Sequence, residues 1–191
     1  ASCNPTTSTQ FTGNIGVPLP STFMMLLDDE GHEITELGQP GEIAIKGPQV
    51  MAGYWQRPDE TARSMTADGF FKSGDIGIRD AHGFFKIIDR KKDMILVSGF
   101  NVYPNDIEET VSLCPGVLEC AAVGVPDEKT GEAVKLVIVK KDPTLTEMAV
   151  REYCKANMTG YKQPKVIEFK KELPKTAVGK ILRRELRDAA K

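Results

Sequence analysis

Near the end of the chain, "PKTAVGK" at Pro174 to Lys180 looks at first like a phosphate-binding loop. A loop of the GxxxxGK[ST] kind closes successive backbone N–H groups around a phosphate and sends a hydroxyl to a metal ion. Here Pro174 stands where the first glycine should be and Ile181 where the hydroxyl should be, so that cradle cannot form. What remains is Lys180 after Gly179, a compact cation that could neutralise charge developing between a carboxylate and a phosphate. The same stretch also reads as a solvated lysine at the start of the basic helix "KILRRELRDAA". Further upstream, "KSGDIG" sets Asp75 behind Ser73 and Gly74. A glycine there allows a tight turn, and the carboxylate can accept two hydrogen bonds from a vicinal diol such as ribose. A plain turn aspartate is the alternative. In "DRKKD", Arg90 offers a rigid fork of donors for ribose or phosphate oxygens, or else belongs to a basic linker.

Two kinds of sequence must position these groups. The first half is rich in glycine and short apolar segments: "FMMLL" at Phe23 to Leu27 runs into "DDEGHE", and "GEIAIKG" alternates Ile43 and Ile45 against Glu42 and Lys46. That is the period of a strand with one solvated face. "SGDIGIRD", the turn "AHG" and "FFKIIDR" read as a hairpin, and both histidines, His32 and His82, fall in turns as exposed residues. This half predicts a small all-β, β-barrel-like subdomain over residues 1–90.

Beyond Arg90 the character changes. "MILVSGFNVYP" reads as strands, and "NDIEETVSLC" as a helix with Asn105 as N-cap and Glu108 completing a capping box. Ile107, Val111 and Cys114 share one face of it, and Pro115 and Gly116 end it. The apolar runs "VLECAAVGV" and "AVKLVIVKK", joined by the polar turn "PDEKTGE", read as core strands. A helix "TEMAVREYCKANM" burying Val150, Tyr153 and Cys154, the strand "VIEF" and the tail helix follow. The expected class is α+β, with a compact domain over 91–191 and a hinge at 89–93.

Bulk properties narrow the function. The chain has 191 residues, 40% hydrophobic and 27% charged, an ordinary globular composition. A net charge of −2 argues against a nucleic-acid partner, although the last thirty residues are locally basic. The four cysteines, Cys3, Cys114, Cys120 and Cys154, form no CxxC pair, so neither a zinc site nor a disulfide framework is expected. Free, partly buried thiols in a reducing cytoplasm fit best. No apolar run approaches the roughly 18 residues of a membrane span, and no signal peptide is apparent. The polar start "ASCNPTTSTQ" without methionine reads as a piece of something longer.

Taken together and in order, "GEIAIKGPQVMAGYW", "DGFFKSGDIG", "GFFKIIDRKKDMILVSGFNVYPNDIEE", "GYKQPK" and "LPKTAVGKILRREL" resemble the adenylate-forming superfamily, and within it bacterial long-chain fatty-acyl-CoA synthetases. The resemblance runs through nearly the whole chain. It implies an ATP-dependent ligase acting in two steps: a fatty acid and ATP give an acyl-adenylate and pyrophosphate, then the CoA thiol displaces AMP. Between the steps the small C-terminal domain swivels. By motif position, Asp75 and Arg90 would bind the nucleotide, Lys92 would be the hinge residue, Lys180 the catalytic lysine of adenylation, and Gly99 a residue close to the pantetheine arm in the second step.

The family's glycine-rich pyrophosphate loop, the aromatic-glycine-threonine-glutamate segment that holds adenine and Mg2+, and the acyl tunnel would lie upstream. "PTTSTQ" at Pro5 to Gln10 lacks the required glycines and reads as connecting loop. Where some relatives carry a phosphate-contacting arginine, this chain has Asn101. The resemblance therefore implies that this stretch alone has negligible ligase activity. Partners would be fatty acid, ATP and CoA in the cytoplasm; a homodimer and peripheral contact with the inner membrane face stay open. Two other readings also stay open: an acyl-AMP ligase or adenylation domain that loads a carrier protein, and a non-catalytic regulatory module of the same fold.

Overall fold

The computed structural model describes residues 1–6 and 12–188, so most of the "PTTSTQ" stretch lies outside the described residues. The chain divides into two compact units, Ala1–Lys92 and Asp93–Lys191.

In the first unit, β1 (Ser2–Cys3) pairs antiparallel with β2 (Val17–Pro18). A four-stranded antiparallel sheet follows, from β3 (Phe23–Leu27), β4 (Gly41–Lys46), β5 (Phe71–Arg79) and β6 (Phe85–Arg90), in the order β3-β4-β5-β6. The sheet is open, not closed into a barrel. The expected hairpin is β5–β6, whose turn is held by Asp80: its carboxylate accepts the amides of His82 and Phe84, both at 2.9 Å. One element departs from the all-β expectation, a helix α1 (Pro58–Ser64). Its cues are local: proline at the first turn, Asp59 and Glu60 at the positive end of the helix dipole, and Arg63 at the negative end. A small core of Leu26, Ile34, Ile43 and Phe85 lies against the sheet.

The strand pattern of β4 needs a second correction. Ile43 is buried and Lys46 exposed as expected, but Glu42 is buried as well, at 8% exposure. Glu42 shares its face with Ala44, which is completely buried. Gly41 to Ala44 are all buried, so neither face of the first half of β4 meets water.

The second unit opens with a tight hairpin, β7 (Ile95–Val97) and β8 (Phe100–Val102), turned at Ser98 and Gly99 with φ of 50° and 84°. Two successive left-handed residues match the right-handed twist of paired strands, which is why glycine belongs at one of them. Helix α2 (Pro104–Ser112) follows, then the long antiparallel pair β9 (Val117–Asp127) and β10 (Gly131–Lys140), α3 (Glu147–Asn157), β11 (Val166–Lys170) and α4 (Arg183–Asp188). β10 is the centre of this sheet. β9 pairs antiparallel along one edge, while β11 pairs parallel along the other and β7 meets it at Gly131.

Because β9 and β10 are covered on both faces, they read as continuous apolar runs. Val134, Leu136 and Ile138 face one side with Ile107 and Val111 of α2 and Val150 and Cys154 of α3. Val137 and Val139 face the other side with Ala121 and Val123, where Leu173, Ile181 and Leu186 cover them. The tail is thus the second wall of the core. Helix α3 begins as expected, with Thr146 capping the amide of Ala149 at 3.2 Å. No helix among the described residues is long and apolar enough to cross a membrane.

Candidate functional site

The first unit brings Asp75 and Arg90 together. They are register partners at the last rung of the β5–β6 ladder, and Arg90 Nη1 donates to Asp75 Oδ1 at 2.7 Å. Local chemistry explains the geometry. Gly74 has φ of 73°, which bends the chain just before the aspartate, and Ser73 Oγ accepts the Asp75 amide at 3.1 Å. On the partner strand the Arg90 amide donates to the buried carboxylate of Asp89 at 2.7 Å. The arginine side chain is half exposed, so its remaining N–H donors stay open to an acceptor from solution.

Behind this pair lies a cluster that strand periodicity missed. Glu42 Oε1 accepts the Gly74 amide at 3.1 Å, and Glu42 Oε2 receives Lys91 Nζ at 3.1 Å. Lys91 also meets Asp29 at 3.2 Å. Burial pulls the lysine pKa down, but the hydrogen bonds to Glu42 and Asp29 outweigh it and hold the group above its ordinary value. The signal that would have found Glu42 is Ala44 two residues on, since a small apolar residue on the same face marks that face as covered. Lys92 follows in a 3-10 turn, Lys91–Asp93, with its side chain exposed and without a hydrogen bond or ion pair among the described residues.

The second unit carries Gly99 and Lys180. Gly99 occupies the β7–β8 turn, and a methyl group built on it would meet nothing within 4 Å. Lys180 does not begin a helix. Its backbone closes a small loop: Thr176 N donates to Lys180 O at 2.8 Å, Lys180 N to Thr176 Oγ1 at 3.1 Å, and Lys175 bridges Ile181. Helix α4 starts only at Arg183, after Leu182 N has bonded Pro174 O at 2.8 Å. The lysine side chain is exposed and has no protein partner among the described residues.

Beside that loop, Arg183 replaces the expected capping box. Pro104 starts α2 two residues early, with Tyr103 as N-cap, because its fixed φ suits the first helical position. Asn105 and Glu108 then share one partly buried side of the helix, turned toward Arg183. Arg183 Nη2 donates to Asn105 Oδ1 and to Glu108 Oε2, each at 2.7 Å, and Glu108 Oε1 also accepts the Ala122 amide at 2.9 Å. Asp93 receives Arg187 at 3.2 Å and lies 3.9 Å from Arg183. The residue after Lys92 is thereby tied into this second unit.

Among the described residues no group of three or more His, Cys, Asp or Glu side chains gathers as a metal site.

The chain belongs to the AMP-binding enzyme family. The family profile described as "AMP-binding enzyme" matches residues 1–55, and that described as "AMP-binding enzyme C-terminal domain" matches residues 106–180. The long-chain-fatty-acid–CoA ligase of Escherichia coli O6:H1 is 57% identical over 100% of this chain and 34% of its own length. That of Bacillus subtilis (strain 168) is 46% identical over 91% of this chain and 31% of its own. The chain thus spans about a third of the curated relatives it matches. Among solved structures, ATP-bound MatB from Rhodopseudomonas palustris superposes with a TM-score of 0.92 at 36% identity, over 98% of this chain and 38% of that one.

Proposed function

We propose that this chain supplies the C-terminal third of an ATP-dependent long-chain fatty-acid:CoA ligase. The observation that carries the reading is the Asp75–Arg90 pair at the end of β5–β6, two residues before the exposed Lys92. With Oδ1 engaged by Arg90, the other carboxylate oxygen of Asp75 accepts a ribose hydroxyl, and the free guanidinium donors of Arg90 serve neighbouring oxygens of the nucleotide. In the first half-reaction a fatty-acid carboxylate oxygen attacks the α-phosphorus of ATP and pyrophosphate leaves. Both reactants are anionic, so a cation delivered only for that step lowers its barrier selectively. Lys180 is suited to this role because its ammonium has no competing protein partner among the described residues and sits on a hydrogen-bonded loop.

In the second half-reaction the CoA sulfur attacks the acyl carbon and AMP leaves. Space for the thiol requires the lysine to withdraw, and Lys92 absorbs the reorientation as the hinge. Gly99 then lies beside the pantetheine arm, where its bare Cα leaves room. CoA is favoured as acceptor over a carrier protein because the curated relatives above are named CoA ligases. The other substrates carried over with this reading are a long-chain fatty acid and ATP, with Mg2+ held outside this stretch; cytoplasmic placement follows from the same analogy.

The test is Lys180→Ala in the full-length enzyme. Acyl-adenylate formation, followed by pyrophosphate release, should fall about 10²–10³-fold. Thioester formation from synthetic acyl-adenylate and CoA should stay within about threefold. Unchanged adenylation would remove the lysine from the mechanism, and turnover with a phosphopantetheinyl carrier but not with CoA would reassign the acceptor.

A further inference from the structure

Glu42 is a buried carboxylate on a central strand, and burying a charge is costly unless it is paired and hydrogen-bonded. Its two oxygens are used on different partners. Oε1 holds the Gly74 amide and Oε2 holds the Lys91 ammonium, each at 3.1 Å. Gly74 is the residue before Asp75, and Lys91 is the residue after Arg90. One carboxylate therefore grips the chain on both flanks of the Asp75–Arg90 rung. At Gly74 the backbone is left-handed, and the Glu42 carboxylate on its amide joins the Ser73–Asp75 hydrogen bond in fixing that turn. On the far side of Lys92, Asp93 is held by Arg187 within the second unit.

We infer that Glu42 is a positioning residue: it aims Asp75 at the nucleotide by fixing the Gly74 turn, and it moors the first unit as far as Lys91, so that rotational freedom begins at Lys92. The inference rests on the nucleotide and hinge roles proposed above. It adds a residue that touches neither substrate nor the reacting atoms.

Three variants separate its two arms. Glu42→Ala removes both contacts, Glu42→Gln keeps an acceptor for the Gly74 amide but loses the charge facing Lys91, and Lys91→Met removes the ammonium alone. In the 191-residue chain, amide exchange at Gly74 should rise about tenfold or more in Glu42→Ala and stay near the parent rate in Glu42→Gln. Limited trypsin cleavage after Arg90 should rise in all three. In the full-length enzyme, Glu42→Ala should raise KM for ATP about tenfold with kcat within about threefold, and Glu42→Gln should restore most of that loss.

Raised Gly74 exchange with an unchanged KM for ATP would reduce Glu42 to a structural residue and overturn the positioning role. Cleavage after Arg90 unchanged in both Glu42→Gln and Lys91→Met would overturn the mooring, even if Glu42→Ala fails to fold. Asp75→Ala in the full-length enzyme is the control for the underlying reading. If it leaves KM for ATP unchanged, the nucleotide role of Asp75 falls and the aiming role of Glu42 with it, while exchange and cleavage still judge the mooring.

Discussion

Arg183 grips Glu108 with two nitrogens, Nε to Oε1 at 3.1 Å and Nη2 to Oε2 at 2.7 Å, so the helix that follows the Lys180 loop is bolted to α2. Both side chains are mostly buried, at 18% and 16% exposure, and a paired fork of this kind is stronger than a surface ion pair.

Replacing Arg183 by Met should cost roughly 2–3 kcal/mol of stability in the second unit, since the Glu108 carboxylate would lose charged donors. Arg184→Met is the internal control: that side chain is 90% exposed and its change should stay within about 0.5 kcal/mol. Urea unfolding of the two variants reads the difference.

Gly99 gives a prediction with two separable parts. Its φ of 84° strains any side chain by about 1–2 kcal/mol, while the open space around it removes any clash within the chain. Gly99→Ala should therefore lower stability by that amount without disturbing the core. Under the proposed mechanism, Gly99→Leu in the full-length enzyme should slow thioester formation at least tenfold more than adenylation, measured as acyl-CoA yield against pyrophosphate release.

Asp127 sets an acid limit on the second unit. Its ion pair with Lys165, then the Thr130 hydroxyl and the amides of Thr130 and Lys129, hold its carboxyl far below the usual range. A depressed folded pKa adds stability that is complete above the unfolded value of about 3.9 and drains away as pH falls below it. The parent should lose melting temperature between about pH 5 and 2 more steeply than Asp127→Asn, as followed by calorimetry across that range.

The thiols should divide three to one. Burial raises the pKa of Cys114, pushes Cys120 up to about 12 and Cys154 to about 11, whereas Cys3 is exposed. Only thiolate reacts, so a maleimide at pH 7.5 should label Cys3 rapidly and the other three only after unfolding. Rapid labelling of more than one thiol in the native chain, read by mass spectrometry, would contradict the packing around α2 and α3.

What could be seen in advance follows from how local each signal is. The β9–β10 pair announced itself because strands covered on both faces carry unbroken apolar runs. The β5–β6 hairpin did so through its Asp-Ala-His-Gly turn, and Asp75 and Arg90 drew notice through the "KSGDIG" and "DRKKD" stretches that hold them. Glu42, Asn105 and Glu108 were misread for one shared reason. Each has a sensible local role, as a solvent-facing strand residue, an N-cap or a capping-box partner, and each is claimed instead by a cation distant in sequence. Helix α4 likewise starts later than its composition suggests because the Thr176 loop takes the preceding backbone groups.

Leu173 and Leu186 are both sunk into the sheet face lined by Val137 and Val139, one on each side of the Lys180 loop. The amine is thus carried on a strap stitched down at its two ends, with slack for a side chain to flex and none for a journey. Any long excursion of that charge has to be a displacement of the whole second body, which turns the reach of one lysine into a property of the packing that surrounds it.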